Sequence, residues 1–348
     1  MNVVDVNPVV DPLWERLVHL QRSDVFHSPG WLHILETTYG FEPHALVATG
    51  ADNAPIAGVP YCRVEDMLGG RVVTLPFSDY CDPLVTSQDQ WDLLAGRILS
   101  TQGPATLRCL HNQLPLHDAR FTVHKRAKWH CVDLQSDPEV IWRRLAEPAR
   151  RAIRKARQSG FTVRMADSED DLRAFFTLHL NIRKRKYRLL AQPYRFFQAI
   201  WEHIMVPGAG RLMVACSGDE IVSGVLFLDW KDTLYYKFNA SHPDYLMHRP
   251  NDLLMWEGIR YGVERGFTRL DLGLSDWDEE GLLRYKRKYA TEEKTIWFLR
   301  GETGSSSNGR HVGQIRDLLS HLTDLLTDDS VSDDVTSRAG DLLYRFFV

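Results

Sequence analysis

Cysteine is sparse in this 348-residue chain: Cys62, Cys81, Cys109, Cys131 and Cys216 are odd in number, widely scattered and never spaced Cys-x-x-Cys. That pattern excludes a disulfide framework and a zinc knuckle, and it fits a reducing cytosol. No apolar run approaches the roughly 20 residues of a membrane span, and the N-terminus carries acids and prolines where a signal peptide needs a basic and then an apolar stretch. There is no Walker loop and no dinucleotide fingerprint. Gly273-Leu274-Ser275-Asp276 lacks the paired glycines of a nucleophile elbow, which argues against a serine hydrolase. His111, His117, His124 and His130 share no ligand spacing, so no metal site is expected.

What is present is uneven charge. The net charge is only −4, yet Arg143, Arg144, Arg150, Arg151, Arg154, Lys155 and Arg157 crowd one stretch and Arg183, Lys184, Arg185, Lys186 and Arg188 another. With Glu147 as the single acid among these twelve cations, the two stretches net +11. Basic surfaces on an acidic protein point to an anionic ligand; the plain alternative is solvated helix faces.

The chain also repeats itself. LVATGADNAPIAGV (46–59) is echoed by MVACSGDEIVSGV (213–225), and Asp92-Leu93-Leu94 with the run 105–110 is echoed by Asp252-Leu253-Leu254 with the run 267–272. The offset of 160 residues between the two Asp-Leu-Leu sites is domain-sized, so two copies of one fold unit are expected. In the first, capped Asp11-Pro12 and Ser28-Pro29 open two helices, strands follow at 44–49, 56–64 and 71–75, then a helix at 88–100 and a strand at 105–110. The second reads strand 161–165, helices 168–186 and 194–205, strands 211–216, 220–230 and 233–240, helix 250–264, strand 268–272, helix 279–288 and strand 294–299. An Arg-rich helix over 140–158, interrupted or restarted at Pro148, lies between them. Ile315, Leu318, Leu319, Leu322 and Leu325 give the acidic tail one amphipathic face.

This layout resembles the GNAT acyltransferase superfamily, and two such units joined by an Arg-rich helix resemble its FemAB-type branch, whose characterised members are peptidoglycan aminoacyltransferases. The carriers are the duplicated hairpin, RRAIRKARQSG (150–160), YYKFNASHPDY (235–245), RPNDLLMWEGIRYGVERGFTRLDLG (249–273) and GLLRYKRKYA (281–290). The resemblance implies an α/β (α+β) fold of two tandem GNAT-like mixed-sheet units with flanking helices and a helical C-terminal tail. Its segments would be 1–138 (acceptor side), 139–160 (connecting helix), 161–300 (donor side, catalytic), 301–310 (linker) and 311–348 (acidic helical tail). It implies a cytoplasmic transferase forming amides by moving an aminoacyl group from aminoacyl-tRNA to a primary amine, with no bound cofactor. An acyl-CoA donor is the close alternative, and a non-catalytic nucleic-acid or partner-binding module the second.

The same resemblance places Lys286, after Tyr285, beside the reacting carbonyl, where a fixed ammonium would stabilise the tetrahedral oxyanion. The bland reading of Arg284, Lys286, Arg287 and Lys288 is a basic stripe. The loop 246–252 lacks the glycines with which GNAT enzymes cradle pyrophosphate, and Pro250 removes a donor, so a pyrophosphate there would lean on Arg249. Asn251 and Asp252 equally well cap the helix. Tyr236, Lys237 and Asn239 are expected on the strand beside the donor, with alternation setting Tyr236 and Phe238 on one face and Lys237 and Asn239 on the other. Arg154 and Arg284 complete the donor side. The loop with Asp79, Tyr80 and Asp82 resembles the family segment facing the acceptor, although a turn held by Asp side chains explains it as well. Asp276 is expected to orient the attacking amine. The acceptor itself is unspecified: a cell-wall precursor, peptide or small-molecule amine all suit.

Overall fold

A computed structural model describes residues 1–101, 103–301 and 309–348. The linker expected at 301–310 lies almost wholly outside the described residues. Two compact units emerge, one of residues 1–128, 294–320 and 345–348, the other of residues 129–293 and 321–344.

The first unit holds β1 (Asn2–Val6), α1 (Pro12–Leu20), α2 (Pro29–Tyr39), β2 (Glu42–Thr49), β3 (Pro55–Asp66), β4 (Gly69–Val73), α3 (Gln88–Leu99) and β5 (Ala105–Cys109). Asp11 and Ser28 cap α1 and α2 by accepting from Leu13 N and Trp31 N, and a proline follows each cap. Strands β2 and β3 form the first repeated hairpin, and β5 joins β4 in parallel after the α3 crossover. Trp91, Leu94 and Ile98 of α3 bury against Leu46, Ala48, Val59 and Leu107.

The chain then passes through β6 (Phe121–Asp133), whose residues from Trp129 onward belong to the second unit. There follow α4 (Pro138–Arg144), α5 (Glu147–Gln158), β7 (Thr162–Met165), α6 (Glu169–Asn181), α7 (Tyr194–Ile200), β8 (Gly210–Ser217), β9 (Glu220–Trp230), β10 (Thr233–Ser241), α8 (Pro250–Glu264), β11 (Arg269–Asp276), α9 (Glu280–Arg287) and β12 (Glu292–Gly301), then α10 (Gly309–Leu326) and α11 (Asp333–Leu343). Strand order in the second unit is β6-β11-β10-β9-β8-β7, and in the first β1-β2-β3-β4-β5-β12. The second copy of the hairpin is β8–β9, and β11 pairs in parallel with β10, as β5 does with β4. Both sheets are mixed and carry helices, as the resemblance implies.

The Arg-rich helix is interrupted just before Pro148, in line with the expectation: it is two helices, Leu145 and Ala146 are extended, and Pro148 sits in the first turn of α5, where its missing N–H costs nothing. Two other element expectations change. Helices 168–186 and 194–205 each end in a π-helical turn, at Ile182–Lys186 and Trp201–Met205. In the tail, Leu319 is buried while Leu318 and Leu325 are exposed, so the packed face is narrower than the apolar pattern.

The second core forms where Leu254, Met255 and Ile259 of α8 and Ala149 and Ile153 of α5 pack on Val225, Phe227, Leu234, Leu270 and Leu272. Gly258 is required for this contact, since a Cβ there would lie 2.4 Å from Phe227 Cζ. The stripe Ala149, Ile153, Ala156 turns one face of α5 inward, leaving Arg151, Arg154, Lys155 and Arg157 exposed. Among the described residues, no helix is long and apolar enough to cross a membrane.

Candidate active site

In the second unit, β10 and β11 pair only from Thr233 to Tyr235 and from Arg269 to Asp271. Beyond that the strands part, and β10 bulges between Tyr236 and Phe238. The bulge inserts Lys237 as an extra residue and reverses the expected facing. Tyr236 pairs with Phe227 and joins the core under α8, whereas Phe238 pairs with Leu226 and meets His179, Phe196 and Phe197. Tyr236 and Phe238 thus point to opposite faces. Asn239 pairs with Val225, which shares the Tyr236 face. Lys237 is half-buried, its ammonium 5.6 Å from the centre of the Phe238 ring.

The entry to α8 closes this face. Arg249, exposed, takes a left-handed conformation (φ 65°), and Pro250 starts the helix. The Asn251 side-chain oxygen accepts from the Tyr236 hydroxyl at 2.9 Å, and its backbone carbonyl accepts from the Tyr285 hydroxyl at 3.3 Å. Asp252, only 4 % exposed, accepts from the Tyr289 hydroxyl at 2.5 Å and from Lys288 Nζ at 2.8 Å. Lys288 also lies over the Tyr285 ring at 4.6 Å. The Asp252 charge is matched within the protein. Burial pushes all three phenols well above the usual range; for Tyr236, hydrogen bonds to Asn251, Tyr285 and Asn239 oppose that rise. At neutral pH they are neutral hydrogen-bond donors lining a polar cluster. A cavity of about 140 Å³ shares Lys288 and Tyr289 with it and is walled by Val132, Ile141, Leu145 and Arg287.

Lys286 is 5 % exposed, and its ammonium donates to the carbonyls of Gly273 at 3.0 Å and Leu274 at 2.7 Å. These two backbone carbonyls fix the position of the ammonium. Gly273 supplies one of them because it adopts a positive φ (68°), a conformation glycine takes at little cost. The neighbouring cations are spent: Arg287 forms a two-pronged pair with Glu293 at 2.7 and 3.1 Å, and Lys288 pairs with Asp252. Arg284 and Arg287 are both exposed, but with Lys286 buried and Arg287 and Lys288 paired, the basic stripe of the bland reading is much reduced. His130, wholly buried, lies 3.0 Å from Glu293, and burial together with the Lys286 charge lowers its pKa.

Other expected residues are placed differently. Arg154 is exposed, 5.6 Å from the Trp142 ring and 3.4 Å from Glu147. Asp276 is half-buried, with its backbone N–H donating to Glu279. In the first unit, Asp79 is half-buried, but Tyr80 is 1 % exposed and packs edge-on against Phe26 and His111. Asp82 is buried and accepts from the backbone N–H groups of Leu110, His111 and Asn112 at 2.9 to 3.1 Å. Tyr80 and Asp82 are therefore interior groups that hold a turn, and the acceptor role expected of them gives way to the side-chain-held turn.

The basic stretch 183–188 needs a larger correction. Arg183 donates to Leu190 O, Lys184 is fully buried against Val331 O and Asp333, Arg185 pairs with Asp333, and Arg188 pairs with Asp329. Lys184, Arg185 and Arg188 hold the acidic C-terminal segment, so the argument from +11 loses most of its second half. The exposed α5 cations Arg151 and Lys155 remain available. Among the described residues, no cluster of His, Cys, Asp or Glu is placed to hold a metal. His27 and Cys81 approach to 3.4 Å, but His27 Nδ1 accepts from Asp24 N and so Nε2 carries the proton given to Asp82 O, which prevents it from acting as a base toward the buried thiol.

Missed from the sequence were Asp271, Trp129, Lys288 and Tyr289. Asp271 carried a signal: a lone acid between leucines in a strand is a buried polar group that must be satisfied.

These elements form an opening where two parallel strands of a mixed sheet part beside a helix N-terminus, with an ammonium held near it. Residues 143–287 match the family model described as Acetyltransferase (GNAT) domain. The second unit accordingly carries a GNAT acetyltransferase-type domain, and the fold of the chain is similar to that of FemX and of a solved tandem GNAT protein. Similar solved structures include FemX (TM-score 0.64, 13 % identity, covering 85 % of this chain and 97 % of that one). Others are L-PGS from Bacillus licheniformis (0.56, 13 %, 91 % and 98 %) and a tandem GNAT protein from the clavulanic acid biosynthesis pathway (0.53, 12 %, 88 % and 100 %). No curated protein matches the chain.

Proposed function

We propose that this transferase forms an amide by moving an aminoacyl group from aminoacyl-tRNA to a primary amine, with Lys286 as the oxyanion-stabilising group. The observation that carries the reading is the fixed ammonium of Lys286, held by two neutral carbonyls where β11 leaves β10. The amine attacks the ester carbonyl, a C–N bond forms, and negative charge grows on the carbonyl oxygen, where a preorganised cation is worth orders of magnitude in rate. Collapse breaks the ester C–O bond, and the proton lost by the amine passes, by way of a carboxylate for which Asp276 is our candidate, to the departing ribose oxygen. Tyr236, Asn239, Asn251 and Tyr285 form the donor wall, with Lys237, Arg249, Arg154 and Arg284 at its edges. Asp79 is retained as an acceptor-side group.

The donor assignment draws support from the α8 entry. It has no glycine, Pro250 has no N–H, and Asn251 and Asp252 are engaged by tyrosines and Lys288. The exposed α5 cations suit a polyanion. An acyl-CoA donor is the second reading, favoured by the acetyltransferase family match.

The test is amide formation with labelled charged tRNAs or labelled acetyl-CoA, using a lysine peptide, glucosamine and hydroxylamine as amines, with and without RNase. Product lost on RNase treatment supports the tRNA donor; RNase-resistant product from acetyl-CoA overturns it. Binding of charged tRNA with no product from either donor would favour a binding module.

A further inference from the structure

We infer that Asp271 is a positioning residue that sets the catalytic ammonium, acting through the backbone of Gly273; this rests on the role proposed above for Lys286. Asp271 is buried in the first half of β11, at the last residue that pairs with β10. One carboxylate oxygen accepts the Trp129 indole N–H at 2.8 Å, and the other accepts the Gly273 backbone N–H at 2.6 Å. The second bond closes a tight side-chain turn two residues long, of the kind Asp makes with its own backbone. It pins the left-handed conformation of Gly273, and that conformation aims the carbonyls of Gly273 and Leu274 at Lys286 Nζ.

Each link has a physical reason. A carboxylate lodged in a strand between Leu270 and Leu272 is expensive to bury, and it is tolerated because two N–H donors meet it. The indole of Trp129, itself buried on β6, fixes the carboxylate from the adjacent strand. Carbonyl acceptors favour the charged form of an amine, so a well-aimed pair works against the cost of burying the Lys286 ammonium. Charged and titratable groups around this assembly include Asp271 on β11, His130 on β6, Arg287 on α9 and Glu293 on β12. Among them His130 senses Lys286 directly, since the Lys286 charge lowers its pKa.

Asp271→Asn tests the inference because it keeps shape while turning one acceptor into an N–H donor, which breaks one of the two bonds. Lysine carrying 13C at Cε reports the Lys286 titration by NMR, assigned with Lys286→Met, and needs no substrate. The expected result is a Lys286 midpoint at least one pH unit lower than in the parent, with an unchanged fold by circular dichroism. Turnover of aminoacyl-tRNA with hydroxylamine is expected to fall about tenfold through kcat with KM unchanged, and the alkaline limb of its pH profile to move down with the midpoint. A folded Asp271→Asn protein with an unmoved midpoint overturns the inference. Should that variant fail to fold, Trp129→Phe, which removes only the indole donor, decides in the same way: a smaller downward move supports the inference and none overturns it. The midpoint separates the two claims, because Lys286→Met with full turnover refutes the catalytic role while leaving the Asp271 linkage to be read from NMR.

Discussion

Lys184, with no exposed surface, places its ammonium 2.9 Å from Asp333, 149 residues further along the chain, and donates as well to the carbonyl of Val331. A buried cation stripped of its partner is costly. Asp333→Ala is expected to destabilise the second unit by about 2 kcal/mol, below the usual figure for a buried pair because Asp333 is itself partly exposed and the Val331 carbonyl remains. Urea denaturation followed by tryptophan fluorescence measures it. Burial works against the Asp333 carboxylate, but hydrogen bonds from Lys184 and Arg185 outweigh it and hold its pKa below the ordinary value. This contribution is therefore complete above the unfolded carboxylate pKa and fades as pH falls through the folded one.

Lys286→Met is expected to lower turnover by roughly 100-fold or more, the scale for losing one oxyanion-stabilising group. Single-turnover kinetics with charged tRNA would show it as slower chemistry at unchanged donor affinity. Loss of affinity with unchanged chemistry would assign Lys286 to binding instead.

Asn251→Ala removes the acceptor for the Tyr236 hydroxyl but leaves its own backbone carbonyl to Tyr285. The Tyr236 hydroxyl then keeps only its contacts with Tyr285 and Asn239, and a buried phenol short of its acceptor costs up to about 1–3 kcal/mol. Tyr236→Phe combined with Asn251→Ala is expected to be less destabilised than Asn251→Ala alone, since no hydroxyl is left without its acceptor. Thermal melts of the two single variants and the double variant complete the cycle.

Acid should act on the two units in opposite directions. Burial, aided by the Arg183 charge and opposed by a hydrogen bond to Gln192, lowers His179 from 6.5 to about 3. The unfolded chain takes up that proton first, so the second unit loses stability as pH falls from 6.5 toward 3, on the order of 2 kcal/mol by pH 4.5. Burial and the charge of Asp24 raise Asp82 from 3.8 to about 6, against three backbone N–H bonds. Here the folded state holds the proton more tightly, so the contribution is full below the unfolded pKa and is lost as pH rises through 6. Denaturant curves of His179→Gln and Asp82→Asn at pH 7 and pH 4.5 should differ from the parent with opposite signs.

The repeat was legible in the sequence because each hairpin combines an apolar alternation with a Gly/Asp turn, and both copies fold as antiparallel pairs. Strands β1 and β6 were not. No residue of β1 is buried, and residues 122–126 of β6 are all exposed, so neither presents the two-residue period that marks a half-buried strand. At the candidate site, Tyr236 and Lys286 could be named from sequence, but their facing could not. A bulge is one residue of backbone that no side-chain pattern announces, and it turned Phe238 away from Tyr236. The basic stretch 183–188 misled for a related reason: composition shows a charge but not its counter-ion, and the counter-ions here come from the far C-terminal segment.

That distant pairing bears on how the protein is made. The second unit's sheet is complete in the chain once β12 has been synthesised, yet Lys184 still lacks Asp333 at that moment. During translation this half must therefore wait, with an ammonium in its interior unanswered, until α11 leaves the ribosome. A nascent chain stalled between residues 301 and 333 is expected to be far more protease-sensitive in the second unit than one stalled after residue 348.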